Sequence, residues 1–196
     1  MARPPQFPVE AILTATADIV SEHGPSRATV AAIADRLGAP TGSIYHRFSS
    51  RDVLLAELWF QTAEEFQVGF CAALSDGDAR DAGLKAALYT PRYVRDHRVP
   101  ARLLLLHHRD DFIRGEWPAE VAARAGKLGA QMTMALRDFA RQAVGSTAAA
   151  AIRRARFAVV DLPGAAVEPH LRADEPVPVI VDELVRDAYL SLIPIR

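Results

Sequence analysis

Residues Arg27–Asp52 read RATVAAIADRLGAPTGSIYHRFSSRD, and this stretch predicts most about the fold of the chain. Its first part, TVAAIADRL, repeats apolar residues at three- to four-residue spacing, as on the buried face of a helix. Thr29 is a good N-cap for that helix, and Gly38 can adopt the positive φ with which many helices end. The pattern therefore predicts a short helix followed by a tight turn.

A second short helix is predicted directly after the turn, from about Thr41 to Arg47. Pro40 suits its first turn, where a missing N–H costs nothing. Ile44 and Phe48 lie one helical turn apart and are expected to be buried, so that hydrogen-bonding side chains and a glycine face outward. Two short helices joined by a tight turn, with polar groups on the second, are typical of a helix-turn-helix that reads DNA.

Helices are also predicted on both sides of this pair. An apolar stripe over Val9–Val20 indicates a helix that can cover the back of the motif. Ser49 or Ser50 can cap a long helix that continues to about Leu74. Arg51 falls in its first turn, where a guanidinium and free backbone N–H groups suit a phosphate.

The stretch ATVAAIADRLGAPTGSIYHRFSSRDVLLAEL resembles the N-terminal domain of TetR-family transcriptional repressors. The family's motif has a Tyr, a His and, two residues later, an aromatic residue, which Tyr45, His46 and Phe48 match. A small capping residue and a basic residue follow, matched by Ser50 and Arg51. Three positions depart from the commonest pattern, with Ala for Val, Arg for His or Tyr, and Arg for Lys: Ala39, Arg47 and Arg51.

The resemblance implies an all-α protein. A three-helix helix-turn-helix DNA-binding domain is expected at residues 1–50, joined to a helical effector-binding and dimerisation domain at residues 51–196. The function implied is that of a homodimeric repressor, released by a small-molecule effector from a pseudo-palindromic operator in double-stranded DNA. The DNA-binding residues expected are Thr29, Pro40, Thr41, Gly42, Ser43, Tyr45, His46, Arg47 and Arg51. Within this set, Thr41, Gly42 and Tyr45 are expected at base edges, and Thr29, His46 and Arg51 at phosphates.

The effector pocket is expected among residues that add aromatic or polar variety to helices rich in Leu and Ala. These are Trp59, Phe60, Tyr89, Tyr93, His107, Phe112, Trp117 and Met132. The alternative interpretation is ordinary core packing, because aromatic and Met side chains at helical spacing also fill protein interiors. An apolar or aromatic effector is favoured, since the chain has 2 Lys against 21 Arg and the candidates include no basic cluster.

The last third of the chain predicts a subunit interface. A final helix from Pro178 to Ile193 has apolar residues on one side and charged residues on the other. By resemblance, the terminal helices pack against a second copy in an isologous seam. The residues expected there are Ile152, Val159, Val181, Leu184, Val185 and Ala188. The alternative is a helix that faces the core of its own subunit.

Prolines are expected to interrupt helices at two places. Pro91 falls within a helical pattern from Leu84 to Arg95 and is expected to kink or break it. Three prolines between Pro163 and Pro176 predict a loop.

Composition limits the function classes. The chain has 196 residues, of which 50% are apolar and 24% charged, so a globular protein is expected rather than a disordered one. Its formal net charge of −1 gives no general basic surface for nucleic acid. DNA binding would therefore depend on individually placed phosphate contacts, doubled by dimerisation.

Enzyme, cofactor and metal chemistry are not indicated. No nucleophile elbow, Walker loop or dinucleotide-binding glycine pattern occurs. The segment HHRDD would place His107 and Asp111 one turn apart on a helix, as two metal ligands can be, but no third ligand appears at a recognisable offset. A polar patch is the alternative, and we expect no metal, no cofactor and no catalysis.

A cytoplasmic protein is expected. Met1–Pro8 carries no apolar segment of a secretory signal, and no apolar run reaches the ~20 residues of a membrane span. The lone Cys71 is compatible with a reducing compartment. A second function class stays open, namely an all-helical small-molecule-binding protein or enzyme whose helix-turn-helix does not bind DNA.

Overall fold

The computed structural model describes residues 7–113 and 116–193, and these residues form helices and connecting turns without a β-strand. The helices are α1 (Val9–His23), α2 (Val30–Leu37), α3 (Thr41–Tyr45), α4 (Arg51–Leu74), α5 (Ala79–Asp96), α6 (Arg98–Leu106), α7 (Arg109–Phe112), α8 (Ala119–Phe139), α9 (Ala149–Arg156), α10 (Leu162–Arg172) and α11 (Ile180–Leu192). The all-α prediction is confirmed. Residues 1–6, which hold most of the segment expected to lack a secretory signal, lie outside the described residues.

The chain divides into two compact units. The first runs to Ala63 and includes Arg102–Ala125, whereas the second comprises Glu64–Ala101 and the chain from Gly126 onward. Helices α4, α6 and α8 each contribute residues to both units. The boundary predicted at residue 50, between a DNA-binding head (residues 1–50) and the remaining helices, stays a proposal.

Apolar spacing explains the core of the first unit. Ile12, Ile33 and Leu54, from α1, α2 and α4, are fully buried. On each helix, further apolar residues lie three or four positions away from the buried one, so that one face of the helix turns inward. This packing positions α3.

In the second unit, α5 packs against α10 and α11. Gly83 allows this approach, because a Cβ there would collide with the Tyr189 hydroxyl and the Phe139 ring. The Tyr189 hydroxyl donates a hydrogen bond of 2.8 Å to the Arg80 carbonyl. Arg95 on α5 pairs with Asp182 on α11 at 2.8 Å.

Pro91 does not break its helix, and the loop predicted over residues 163–176 is confined to its last residues, after α10 ends at Arg172. Pro91 lies inside α5, which continues to Asp96, and Pro163 and Pro169 both lie in α10 where a loop was predicted. Pro163 follows a π-helical turn over Phe157–Asp161 that runs directly into α10, so the proline lies where the regular α-helical bonding is already altered. An interior proline costs ~3 kcal/mol, but burial of an aliphatic side chain returns roughly 1.5–3 kcal/mol. Val167 and Leu171 are fully buried, so tertiary packing offsets the cost at Pro169.

Within residues 7–113 and 116–193, no helix combines the length and the apolar character needed to cross a membrane.

Candidate nucleic-acid interface and effector site

Capping residues fix both ends of α2 and the start of α4. The Thr29 hydroxyl accepts a hydrogen bond of 3.1 Å from the Ala32 N–H, and Gly38 ends α2 in the left-handed region at φ 61°. Pro40 precedes α3 in an extended conformation. Ser50 caps α4 by accepting a hydrogen bond from the Val53 N–H at 3.1 Å. The predicted capping of both helices is confirmed.

Helix α3 is shorter than predicted. It ends at Tyr45 rather than Arg47, and His46 and Arg47 form a turn. The Arg47 N–H donates to the Ile44 carbonyl at 2.9 Å, a three-residue separation that tightens the chain. His46 and Arg47 are therefore presented by a turn at the end of the helix.

One side of this segment is buried and the other is exposed. Ile44 and Phe48 are 2% and 6% exposed, as predicted. Most of the residues predicted to bind DNA are exposed: Thr29, Pro40, Thr41, Gly42, Tyr45, His46 and Arg47, with Ser43 and Arg51 half-buried. Tyr45 is 54% exposed. A large exposed ring among polar side chains suits recognition of a polar partner.

Gly42 lies at the centre of this surface. A Cβ added there would meet no atom outside the local helix backbone within 4 Å. The packing of the described residues therefore does not require glycine at this position. The absence of a side chain leaves room for a partner to approach the α3 backbone closely.

Arg51 has a structural function that the sequence did not indicate. Its Nε donates to the Ala28 carbonyl at 2.9 Å, and one terminal nitrogen donates to the Pro25 carbonyl at 2.6 Å. Its other terminal nitrogen lies 3.5 Å from Asp52. Arg51 therefore ties the start of α4 to the turn before α2, and its phosphate contact stays a prediction. These two bonds join residues that are 23 and 26 positions apart in the chain, so no local sequence pattern could have indicated them.

Two arginines of the N-terminal helices, Arg36 and Arg27, differ in their surroundings. Arg36 makes two hydrogen bonds, of 2.8 and 2.6 Å, to the Glu22 carboxylate. This contact holds the pKa of Glu22 below its usual value. Arg27 is exposed and was not among the predicted contacts. It lines an open groove of about 790 Å³ with Ile19, His23, Thr29, Ala32, Asp35 and Arg36. The mixed charges of this groove do not define an anion site.

The HHRDD segment does not form one continuous helix. His107 precedes the break, His108 is the N-cap of α7, and the Asp111 carboxylate accepts a hydrogen bond from the His108 N–H at 2.7 Å. His107 and Asp111 therefore do not lie one turn apart on a common helix. His107, Asp110 and Asp111 instead line a cavity of about 390 Å³ with Gly24, Pro25 and Ser26. The described residues contain no group of three or more His, Cys, Asp or Glu side chains placed to bind a metal.

The residues predicted for one effector pocket fall into both compact units. Trp59, Phe60, His107, Phe112 and Trp117 belong to the first unit. The Trp59 and Trp117 rings meet edge to face at 5.3 Å. The Trp117 indole N–H is buried without a hydrogen-bond partner among the described residues.

Two arginine side chains lie over aromatic rings in the first unit. Arg109 lies 4.7 Å from the centre of the Trp117 ring, and Arg124 lies 4.0 Å from that of Phe60. Arg124 also pairs with Glu57 at 2.7 Å. Burial raises the pKa of Glu57, but the hydrogen bonds from Arg124 and Gln61 outweigh it, so that the pKa lies below its usual value.

Tyr89 and Tyr93 lie in the second unit, where they form an aromatic cluster with Phe66, Phe70 and His97. The Tyr93 ring centre lies 5.0 Å from that of Phe66, 5.8 Å from Tyr89 and 4.6 Å from His97. Sequence reasoning did not include Phe66, Phe70 and His97 among the pocket residues, because the two Phe residues fit the buried stripe of α4. Met132, half-buried on α8, is the third predicted residue in this unit.

Three residues predicted for the subunit seam are buried in their own subunit. Val159, Val181 and Val185 are 0%, 4% and 1% exposed, and α11 packs on α5. They are not available to a partner, so this part of the prediction is corrected. Leu184 is 60% exposed, while Ile152 and Ala188 are half-buried. Further large apolar side chains exposed in this region are Phe157, Val179 and Ile180.

Comparisons with known proteins give a family for the N-terminal residues and a fold for the whole chain. Residues 12–58 match the family model described as bacterial regulatory proteins, tetR family. No curated protein matches significantly. The transcriptional regulator FadR from Bacillus subtilis, solved in complex with stearoyl-CoA, is 15% identical, with a TM-score of 0.69 over 94% of this chain and 97% of that one.

Two further solved structures are equally extensive matches. PfmR from Thermus thermophilus, a TetR-family regulator, is 18% identical, with a TM-score of 0.68 over 93% of this chain and 96% of that one. A regulatory protein of the tetR family from Rhodococcus is 16% identical, with a TM-score of 0.72 over 96% and 97% of the two chains. At these identities the likeness shows the fold.

Proposed function

We propose that this protein, a TetR-family transcriptional regulator by its N-terminal domain and its fold, is a homodimeric repressor that a small-molecule effector releases from a pseudo-palindromic operator. The observation that carries the proposal is the exposed surface of α3 and the turn after it. Ile44 and Phe48 anchor this segment in the core. The side chains on the opposite side can donate and accept hydrogen bonds at base edges, as groove recognition requires.

In this proposal α3 enters the major groove. Thr41, Gly42 and Tyr45 approach base edges, whereas Thr29, His46 and Arg51 lie beside phosphates and Arg47 adds a further phosphate contact. Arg51 holds the two sides of the motif together through its carbonyl contacts. Since the net charge of the chain is −1, binding depends on these placed contacts and on two copies of the head rather than on general attraction.

The homodimer is proposed from the apolar surface left exposed near the C-terminus. Ile180, Leu184 and Ala188 recur every four residues and form a second stripe beside the buried Val181 and Val185. An exposed apolar stripe favours a partner surface, and a second copy of the same stripe is self-complementary across a two-fold axis. The proposed dimer interface therefore consists of this exposed stripe and excludes the buried valines of the sequence-based prediction.

Charges beside the stripe support the same pairing. Arg153, Arg154 and Arg156 on α9 are exposed, and so are Glu183 and Asp187 on α11. Arg156 already pairs with Asp161 at 3.2 Å, and Arg186 is exposed between the two acids, so in an isologous interface Arg153 and Arg154 of one copy can meet Glu183 and Asp187 of the other. Such complementarity fixes the register of the partners more than it adds affinity.

The effector is proposed to act by shifting the populations of DNA-competent and DNA-incompetent dimers. Moving a 1:99 equilibrium to 99:1 requires about 5.5 kcal/mol of differential affinity. Linkage then requires the operator to weaken effector binding by the factor with which the effector weakens operator binding. A cytoplasmic location and the absence of catalysis are part of this proposal.

A salt-titrated gel shift tests the DNA-binding function. Wild-type protein is titrated against the DNA upstream of its own gene and against a scrambled duplex of equal length and composition. Preference for the upstream DNA is expected, and Thr41→Val, which removes one hydroxyl at nearly equal volume, should change which operator is preferred. Equal binding to both duplexes at every salt concentration would overturn the proposal. It would favour a helical small-molecule-binding protein.

A further inference from the structure

The Tyr93 hydroxyl is a polar group without a hydrogen-bond partner in the part of the chain that the structure describes. Tyr93 is only 4% exposed. An unsatisfied buried polar group costs about 1–3 kcal/mol, and such groups are rare in folded proteins. Tyr189, on α11 of the same unit, is 0% exposed, and its hydroxyl donates to the Arg80 carbonyl at 2.8 Å. The two tyrosines therefore differ mainly in whether the hydroxyl is satisfied.

The surroundings of Tyr93 are aromatic and lie close to the surface. The Phe66 ring meets it edge to face, and the His97 ring stacks on it. Phe66 and Tyr89 are half-buried and His97 is exposed, so the edge of the aromatic cluster reaches the surface beside the buried Tyr93 hydroxyl. The Tyr89 hydroxyl lies against Gly69 of α4, where a Cβ would collide with it. Gly69 thus holds Tyr89 close to α4 and beside Tyr93.

The Glu65 carboxylate lies near this cluster. Burial, and after it the nearby Glu65 carboxylate, raise the pKa of both Tyr89 and Tyr93. The Tyr93 hydroxyl therefore keeps its proton and can donate it in a hydrogen bond. The same carboxylate disfavours an anionic ligand at this place.

We propose that the Tyr93 hydroxyl anchors a ligand in this cluster, and that the ligand is an uncharged aromatic compound with a hydrogen-bond acceptor attached to its ring. The ring packs against Phe66 and Tyr89, and the acceptor receives the hydrogen bond that the protein leaves unmade. The identification of this ligand with the effector rests on the proposed function, whereas its binding does not.

The first test compares two variants without any ligand. Tyr93→Phe removes a hydroxyl that has no partner, so the urea midpoint of unfolding should stay unchanged or rise. Tyr189→Phe removes a bonded hydroxyl of similar burial, so its midpoint should fall. If Tyr93→Phe lowers the midpoint as much as Tyr189→Phe does, the hydroxyl is already satisfied by water or protein, and the proposal is overturned.

The second test uses matched probes in isothermal titration calorimetry with the full chain. Acetophenone and 2-acetylnaphthalene carry a carbonyl acceptor, ethylbenzene and 2-ethylnaphthalene replace it with an alkyl group, and 2-naphthoate adds a negative charge. At least one ketone should bind about tenfold more tightly than its alkyl partner, and 2-naphthoate should bind more weakly than the ketone. Tyr93→Phe should abolish the ketone preference, and Tyr189→Phe should retain it. Failure of both ketones to bind, or an unchanged preference in Tyr93→Phe, overturns the proposal.

A gel shift separates this inference from the proposed function. A ketone that binds through Tyr93 and weakens operator binding supports both. If it binds through Tyr93 and leaves operator binding unchanged, the ligand site stands and effector release is overturned for that compound. If operator binding responds equally in wild type and Tyr93→Phe, the repressor proposal stands and the Tyr93 site is overturned.

Discussion

Helices α3 and α11 use apolar side chains in different ways. In α3 and the turn after it, the large aliphatic and phenyl side chains Ile44 and Phe48 are both buried, and the exposed side is polar apart from the Tyr45 ring. In α11, Val181 and Val185 are buried while Ile180 and Leu184 are exposed on the neighbouring side. The first segment therefore presents a surface suited to a polar partner. The second keeps apolar surface that its own subunit does not cover, and this difference supports separate DNA-binding and dimerisation surfaces.

The largest expected effect comes from the buried stripe of α11. Val185→Asp places a carboxylate where the side chain is 1% exposed, and it should lower the free energy of unfolding by more than about 4 kcal/mol. Urea denaturation followed by circular dichroism measures this. A folded, stable monomer would show instead that Val185 faces a partner and would break the distinction between the two stripes.

The adjacent stripe should respond differently to the same change. Leu184→Asp alters a side chain that is 60% exposed, so the subunit should keep its helical content. Each dimer contains the substitution twice, and a loss of about 2 kcal/mol per copy would weaken association about a thousandfold. Sedimentation equilibrium measures the change, with Glu64→Gln, which alters an exposed carboxylate on α4, as a control. An undiminished dimer in Leu184→Asp would place the seam elsewhere.

A smaller effect is expected where Arg51 supports the head. Arg51→Ala removes the side-chain donor to the carbonyls of Ala28 and Pro25, of which Pro25 keeps the Ala28 N–H at 3.2 Å, and should lower stability by about 1–3 kcal/mol. Arg51→Lys keeps the charge but cannot reproduce the planar pair of bonds, so it should also lose stability while keeping its salt dependence of DNA binding. Thermal unfolding together with salt-titrated gel shifts separates these effects. If Arg51→Lys matches wild type in both, the carbonyl contacts are unimportant.

The smallest expected effect on stability is at the exposed end of the α3 segment. Arg47→Ala should change the free energy of unfolding by less than about 0.5 kcal/mol. It should reduce the log–log salt slope of DNA binding by about 1 per subunit, because one phosphate contact is lost. Arg36→Ala serves as a control, since that guanidinium is bonded to Glu22. Equal slopes for Arg47→Ala and wild type would remove Arg47 from the phosphate contacts.

The helix-turn-helix was predictable because its signals are local. The Thr29 cap, the left-handed Gly38, the Ser50 cap and the buried pair Ile44 and Phe48 all appear as expected. Each involves residues within about one helical turn, where steric and hydrogen-bonding preferences of single residues decide the conformation.

The loop expected at Pro163 and Pro169, and the single helix assumed for HHRDD, were wrong because nonlocal packing or a local cap outweighed the pattern. Pro169 remains helical while Val167 and Leu171 are buried against other helices. His107 and Asp111 are separated from a common helix by the cap that His108 provides. A spacing rule assumes a continuous helix and cannot detect such a break.

The sequence by itself determined the helical class, the capped helix-turn-helix and the amphipathic character of α11, because these follow from residue preferences over a few positions. Only the tertiary structure decided which apolar stripe of α11 is covered, since a helix with a wide apolar side can turn either part toward α5. The same holds for the carbonyl contacts of Arg51 and for the difference between Tyr93 and Tyr189. In each case the partner lies far along the chain, and folding alone brings it within hydrogen-bonding or packing distance.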